Sequence, residues 1–286
     1  DHVAQQERAA ILHGLGLVAY EAGDRLASGR LFAESLALYR TCNDRWGEAK
    51  VLLSVERIDR NLPELANPHQ HRQATERSKA LVLESLAIFR QSDDQANLSM
   101  ALERLAAVFL TRGQAPEARE ALTECLAIQR TLNMMNGAFI DALINLGIAH
   151  EYLGLYEQMH TQAQQALALA QAVGDVKGMH RACFLLSSAV LVQQRFDEVE
   201  HCFQAVTHLA RKEQAKSGLT ILQLINCGLA SYRLGDLRRA QGQLAEALLI
   251  GLTIRSIRGS VHGLLLGALL LVEQGKLALA VELHAL

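Results

Sequence analysis

The segment Asn145-Leu-Gly-Ile-Ala-His-Glu-Tyr-Leu-Gly154 carries one glycine in its middle and ends in another. Both features recur along the chain. Turn signals stand at Gly23, Gly113, Gly154, Gln194, Gly235 and Gly275, and a small residue lies seven positions earlier, at Gly16, Ala106, Gly147, Ser187, Gly228 and Ala268. From Gly113 onward the turns are 41, 40, 41 and 40 residues apart. A fixed period of this length is the sequence signature of a repeat protein.

Each turn separates two helical patterns. Ala, Leu, Gln, Glu and Arg dominate both, and all five are good helix formers. A similar heptapeptide follows most turns, at residues 34–40, 84–90, 124–130, 165–171 and 246–252. The first helices are predicted near residues 4–22, 45–61, 95–112, 137–153, 177–193, 216–234 and 257–274, and the second helices near 25–42, 73–91, 115–131, 155–172, 196–212, 237–253 and 277–286.

One stretch breaks the period. The step from Gly23 to Gly113 is 90 residues, which is two periods plus about ten. The polar, proline-bearing segment 62–73 (LPELANPHQHRQ) accounts for the surplus. We predict a surface insertion that tolerates trimming.

The chemistry of the turns explains their composition. A glycine ends a helix where the chain needs a positive φ, and Asp24 or Asp236 after it can cap the next helix. Gly16, Gly147 and Gly228 lie in helix interiors, where each costs about 1 kcal/mol relative to alanine. Close packing of a neighbouring helix is expected to compensate that cost.

Composition and charge argue against several classes of protein. The chain has 286 residues, a formal net charge of −2 and 50% hydrophobic residues, which argues against disorder. Its near-neutral balance argues against direct contact with nucleic acid. Five scattered cysteines without a paired motif favour reduced thiols in a cytoplasmic protein. The longest uncharged apolar run, 263–272, is about half of a membrane span.

The candidate chemical motifs are weak. Gly14 and Gly16 fit a dinucleotide-loop outline but lie inside a helical pattern. His69 and His71 have no other ligand beside them, so a solvated loop is favoured over a metal site. No nucleophile–base set is recognisable. The sequence therefore predicts no enzyme, no metal and no cofactor.

Asn145–Gly154, Asn226–Asp236 and Leu15–Asp24 resemble the first helix and turn of a tetratricopeptide repeat. Ala118 and Ala240 match the small residue five positions past the turn, whereas Ser28, Met159 and Val199 depart from it. The period of about forty resembles kinesin light chains and the sensor arrays of bacterial signal-transduction ATPases of the maltose-operon-activator type.

The resemblance implies an all-α, right-handed superhelical solenoid of about seven helix-turn-helix repeats over residues 1–286. Both ends are expected to be cut edges of a larger protein. The resemblance also implies a protein- or peptide-binding scaffold that serves as the regulatory or sensor region of a bacterial signalling or transcription regulator. A small-molecule effector sensor is the alternative, although aromatic residues are only 5% of the chain. Self-association of the chain is a further possibility that the sequence leaves undecided.

In the resembled family, first helices line a concave groove, and an asparagine two places before the small residue binds the backbone of an extended peptide. Asn145 and Asn226 match that position, and Arg104 stands at the same register. The other predicted groove residues are Glu103, Asp141, Glu151, Tyr152, Arg181, Tyr232 and Arg233. The competing interpretation is that these are ordinary solvated helix residues. Six apolar groove positions are either core or partner surface: Leu110, Ile144, Phe184, Leu191, Ile225 and Leu265.

Overall fold

The computed structural model describes residues 2–60, 68–199 and 218–254, together with Gly267. These residues form helices and turns, and none of them lies in a strand. The helices are α1 (His2–Glu21), α2 (Arg25–Thr41), α3 (Arg45–Arg60), α4 (Pro68–Phe89), α5 (Gln95–Thr111), α6 (Ala115–Thr131), α7 (Gly137–Tyr152), α8 (Tyr156–Val173), α9 (Val176–Val192), α10 (Gly218–Arg233) and α11 (Leu237–Thr253). The predicted all-α class is confirmed.

The chain divides into two compact units, an N-terminal unit of residues 1–138 and a C-terminal unit of residues 139–286. In the N-terminal unit α1 packs on α2, α3 on α4 and α5 on α6. The second helix of one pair also packs on the first helix of the next, as α2 on α3 and α4 on α5. In the C-terminal unit α8 packs on α9, α9 on α10 and α10 on α11. A single array over residues 1–286 stays a prediction.

The predicted helix bounds agree with the structure except at the insertion. Helix α4 begins at Pro68, earlier than the predicted start near residue 73. Proline is well tolerated in a first helical turn, where its missing N–H has no partner to lose. Residues 68–73 are therefore helical, and 62–67 lie outside the described residues. The seventh predicted pair, apart from Gly267, also lies outside the described residues, and so does most of the predicted helix 196–212.

The turns have the predicted backbone. Gly23, Gly113, Gly154 and Gly235 adopt φ values of +84°, +70°, +70° and +84°. Gln194 stands at the same place and adopts φ +60° despite its side chain. Each capping aspartate accepts a hydrogen bond from a backbone N–H three residues on, and these caps are Asp24, Asp94, Asp175 and Asp236.

One hydrogen bond repeats within each pair of the N-terminal unit. The second residue of the heptapeptide donates to a first-helix carbonyl: Ser35 to Ala9 at 2.7 Å, Ser85 to Ala49 at 3.0 Å and Cys125 to Ser99 at 3.2 Å. Burial, with the nearby charges of Glu103 and Glu124, raises the pKa of Cys125 to about 12, so its thiol remains a donor. The partners are 26, 36 and 26 residues apart, which places the ten extra residues inside the second pair.

The same register identifies the small-residue notches. The Phe32 ring of α2 fills the notch at Gly16, where an added Cβ would lie 2.5 Å from the ring. Counting seven residues on from Ala9, Ala49 and Ser99 reaches Gly16, Glu56 and Ala106. Glu56 is fully buried. The second repeat thus carries a carboxylate where the pattern has a small residue.

In the C-terminal unit the notch at Gly147 receives the next first helix. A Cβ added there would lie 2.4 Å from Leu185 Cδ2 on α9. Gly147 is buried, as the sequence predicted.

Candidate functional site

A polar cluster joins the first helices α7 and α9. Arg181 on α9 forms an ion pair with Asp141 on α7, and its Nη2 donates to Asn145 Oδ1 at 3.3 Å. Asp141 and Arg181 stand 40 residues apart, at the same register of successive repeats. The structure therefore brings together three of the predicted site residues. Asn145 is only 9% exposed, so little of its amide faces solvent.

Asn226 on α10 contacts the preceding first helix, α9. Its Nδ2 donates to Ser187 Oγ at 2.9 Å and to Ser188 Oγ at 3.2 Å. The two amide hydrogens are thus engaged within the protein, and Oδ1 is the atom left to accept from a ligand. These two hydrogen bonds orient the carboxamide, and the half-buried side chain leaves part of it open to solvent.

A pocket of about 510 Å³ lies beside Asn226. Its apolar walls are Leu191, Val192, Phe196 and Leu229, and its polar groups are Ser188, Gln194, Asn226 and Arg233. Among the described residues that line this pocket, Arg233 is the one that carries a charge. The volume falls within the range usual for ligand sites. The arrangement offers an apolar wall, a carboxamide acceptor and a cation within one site.

Other predicted residues lie elsewhere. Tyr232 packs against Ala240 and Leu244 of α11 and contributes to the core of that pair. Glu151 and Tyr152 are exposed at the end of α7. Of the apolar groove positions, Ile144 is core, whereas Leu110, Phe184, Leu191 and Ile225 are half-buried, and Leu265 lies outside the described residues.

In the N-terminal unit Arg104 and Glu103 are adjacent on α5. The Arg104 Nε lies 3.7 Å from Glu103 Oε2, and both side chains are more than four-fifths buried. Among the described residues, no hydrogen-bond acceptor lies within reach of the Arg104 Nε. The contact is an ion pair within one helix, and it holds the Arg104 side chain against the protein.

Sequence reasoning missed a second polar cluster in this unit. Trp46 Nε1 donates to Asp94 Oδ2 at 2.7 Å, and Lys50 Nζ lies 3.5 Å from the centre of the indole ring. Burial alone would raise the pKa of Asp94, but hydrogen bonds from Asn97 and Trp46 and the charge of Lys50 lower it. The charge of Asp94 is therefore held in place, and the exposed indole is fixed by a bond at one edge and a cation over its face.

His13 on α1 lies beside this cluster. Its Nε2 is 2.8 Å from Ser54 Oγ on α3, and its ring meets Phe32 edge-on. Burial and the charge of Lys50 lower the pKa of His13. Gly14 and Gly16, which fit the outline of a dinucleotide loop, lie inside α1, as their helical sequence pattern predicted.

Two features are absent from the described residues. No group of three or more His, Cys, Asp or Glu side chains there is arranged to hold a metal ion. The His69 and His71 side chains are outside the described set. No helix in the described part of the chain has both the length and the apolar character that a bilayer span requires.

No protein-family model matches the chain, and no curated protein sequence matches it. In structure it is similar to the apo form of RapI, with 16% identity, a TM-score of 0.72 and coverage of 97% of this chain and 95% of RapI. A STAND protein with a tetratricopeptide repeat sensor from Pyrococcus horikoshii gives 14% identity and a TM-score of 0.68, over 86% of this chain and 36% of that one. A Rap protein complexed with competence and sporulation factor gives 14% identity and a TM-score of 0.61, over 96% and 76%. Kinesin light chain repeats match as well. The chain therefore has the tetratricopeptide-like repeat fold that its sequence predicts.

Proposed function

We propose that this chain is a protein-interaction scaffold that binds a peptide segment along its first helices. In this proposal it is the regulatory or sensor region of a bacterial signalling or transcription regulator and works in the cytoplasm. It binds without catalysing a reaction and uses no cofactor, nucleic acid or membrane. The fold shared with a STAND protein that has a tetratricopeptide repeat sensor, and with a Rap protein complexed with competence and sporulation factor, supports this proposal.

The pocket beside Asn226 is the observation that carries the proposal. A peptide presents backbone N–H groups, carbonyl oxygens and side chains along one extended line. Asn226 Oδ1 can accept from a backbone N–H, and the Arg233 guanidinium can donate to a carbonyl or carboxylate. Leu191, Leu229 and Phe196 then enclose an apolar side chain between those two contacts.

The Asp141–Arg181–Asn145 cluster supplies a second polar contact in the same unit. The Asp141 side chain is 46% exposed, so its carboxylate can accept from a ligand while Arg181 holds it in position. This arrangement positions polar groups before binding, which lowers the entropy lost when the partner docks.

A peptide array tests the proposal. The wild-type chain is applied to an array of random 15-residue peptides beside the double variant Asn226→Ala with Arg233→Ala. We expect a defined set of wild-type ligands whose signal falls at least tenfold with the variant. The control is Arg238→Ala with Gln241→Ala, which removes the same two chemical groups from exposed positions on α11. Binding that is the same in both variants would contradict the proposal.

A small-molecule effector is the second candidate, and the pocket volume of about 510 Å³ favours it. Because Arg233 carries the one charge among the described lining residues, the proposed effector is an anion with an apolar portion. A thermal-shift screen with a metabolite library distinguishes a small-molecule effector from a peptide partner. Stabilisation by one anionic metabolite, lost in Arg233→Ala, together with an empty peptide array, would select the effector.

A further inference from the structure

Two charges of opposite sign lie near the ends of first helices in the C-terminal unit. Glu151 precedes the turn residue Gly154 by three positions on α7, and Arg233 precedes Gly235 by two on α10. Within the described part of the chain, neither side chain forms an ion pair. Desolvation by the surrounding protein raises the pKa of the Glu151 carboxyl, and no nearby charge offsets that shift. A cationic group placed beside this carboxylate would therefore stabilise its charged form.

The first helices α7, α9 and α10 lie side by side and run in the same direction. Later residues of each helix meet later residues of its neighbour, in the contacts Asp141–Arg181, Gly147–Leu185, His180–Gln223 and Ser187–Asn226. The partners in each contact are close to one repeat period apart in the sequence. The last turns of the three helices therefore lie next to one another, in the order α7, α9, α10.

Apolar side chains of α9 stand between the two charges. Leu191 and Val192 both line the pocket beside Asn226. They occupy the registers that Glu151 and Tyr152 occupy on α7. Val192 is 48% exposed, so an apolar group of a ligand can rest on it. The helix ends are thus acidic, apolar and basic in order, and we call this set the end row: Glu151, Tyr152, Leu191, Val192 and Arg233.

An aromatic ring accompanies the carboxylate on α7. Tyr152 is 63% exposed and directly follows Glu151 in the sequence. The face of a tyrosine ring attracts a cation, and a carboxylate accepts charge-assisted hydrogen bonds from it. The apolar stem of a lysine or arginine can lie along the ring while its charged head reaches the carboxylate. The α7 end of the end row therefore favours a basic side chain.

We propose that the end row selects a peptide with a basic side chain and an acidic group about five or six residues apart and an apolar side chain between them. The basic side chain binds Glu151 and Tyr152, and the acidic group binds Arg233. Packed helices lie about 8–10 Å apart, so α7 and α10 are roughly 16–20 Å apart, which an extended chain spans in about five or six residues. This inference rests on the proposed function and names the chemistry of the peptide that binds the same site.

An array of 12-residue peptides tests the selection. Each peptide carries one Lys and one Glu, separated by two to eight residues in either order, with a Leu between them and random residues elsewhere. A matched set carries Glu in place of the Lys. We expect the strongest wild-type signals at a separation of about five or six residues, and signals at least fivefold weaker in the matched set.

A charge reversal on α7 identifies the group that reads the lysine. Glu151→Lys should prefer the Glu-for-Lys peptides over the Lys peptides at least fivefold, because both ends of the end row are then basic. The variant should fold, since Glu151 is exposed. Glu246→Lys makes the same change at an exposed position of α11 in the same unit, and this control should keep the wild-type preference.

The outcomes separate this inference from the function on which it rests. If binding is lost in Asn226→Ala with Arg233→Ala but Glu151→Lys selects the same peptides as the wild-type chain, the inference is overturned and the proposed function stands. A signal that does not depend on the Lys–Glu separation, or a control that changes preference as Glu151→Lys does, would also overturn the inference. If no peptide binds the wild-type chain, both fail.

Discussion

Gly147 and Gly14 both lie in the interior of a first helix, yet their surroundings are opposite. A Cβ at Gly147 would lie 2.4 Å from Leu185, whereas a Cβ at Gly14 would meet nothing within 4 Å. We predict that Gly147→Leu lowers the free energy of unfolding by about 1–3 kcal/mol through overpacking. Gly14→Leu, the matched control, should be neutral or stabilising by up to about 1 kcal/mol through helix propensity. Urea unfolding measures both, and equal effects would contradict the packing of α7 on α9.

His13 gives a pH-dependent prediction at the same scale. Burial and Lys50 lower its pKa in the folded protein, so the unfolded state binds the proton more readily. Stability should therefore fall as the pH drops below the unfolded value of about 6.5. His13→Gln removes this titration and can keep a bond to Ser54. The decrease in melting temperature from pH 7.5 to 5.5 should be smaller in the variant, and an identical decrease would refute the assignment.

At the scale of the element, the turn after α9 departs from the glycine rule. Gln194 holds φ +60°, a conformation that costs a residue with a Cβ about 1 kcal/mol or more. We predict that Gln194→Gly raises the free energy of unfolding by about 1 kcal/mol. The reverse change Gly154→Gln, at φ +70°, should lower it by a similar amount. Chemical denaturation of the two variants tests the pair, and shifts of the same sign would show that the backbone is not the cause.

Helix bounds, turns and caps were predictable because they depend on local chemistry. Glycine and aspartate act within a few residues, so Gly23 and Asp24 reveal their roles without any tertiary information. The contacts of Trp46 with Asp94, 48 residues away, depend on how α3 and α5 face each other. Glu56 could not be assigned either, because the irregular second repeat hides its register. Likewise, the sequence placed Asn145 and Asn226 at one register but could not show that Arg181 and two serines engage them.

At the scale of the whole molecule, the protein should fold without the segment that interrupts its repeat period. We predict that replacing residues 62–67 by a four-residue Gly-Ser linker changes the melting temperature by only a few degrees, because loop-closure entropy varies slowly with length. Helix α4 begins at Pro68, so the replacement leaves its first turn intact. Loss of cooperative thermal unfolding would show that this segment contributes to the core.

The proposed function rests on the pocket beside Asn226. The most direct measurement is an anisotropy titration of the strongest array peptide against the wild-type chain, the double variant Asn226→Ala with Arg233→Ala, and the control Arg238→Ala with Gln241→Ala. We predict that the dissociation constant rises at least tenfold in the double variant and stays within a factor of two in the control. A double variant that binds the peptide as tightly as the wild-type chain would show that Asn226 and Arg233 do not form the binding site.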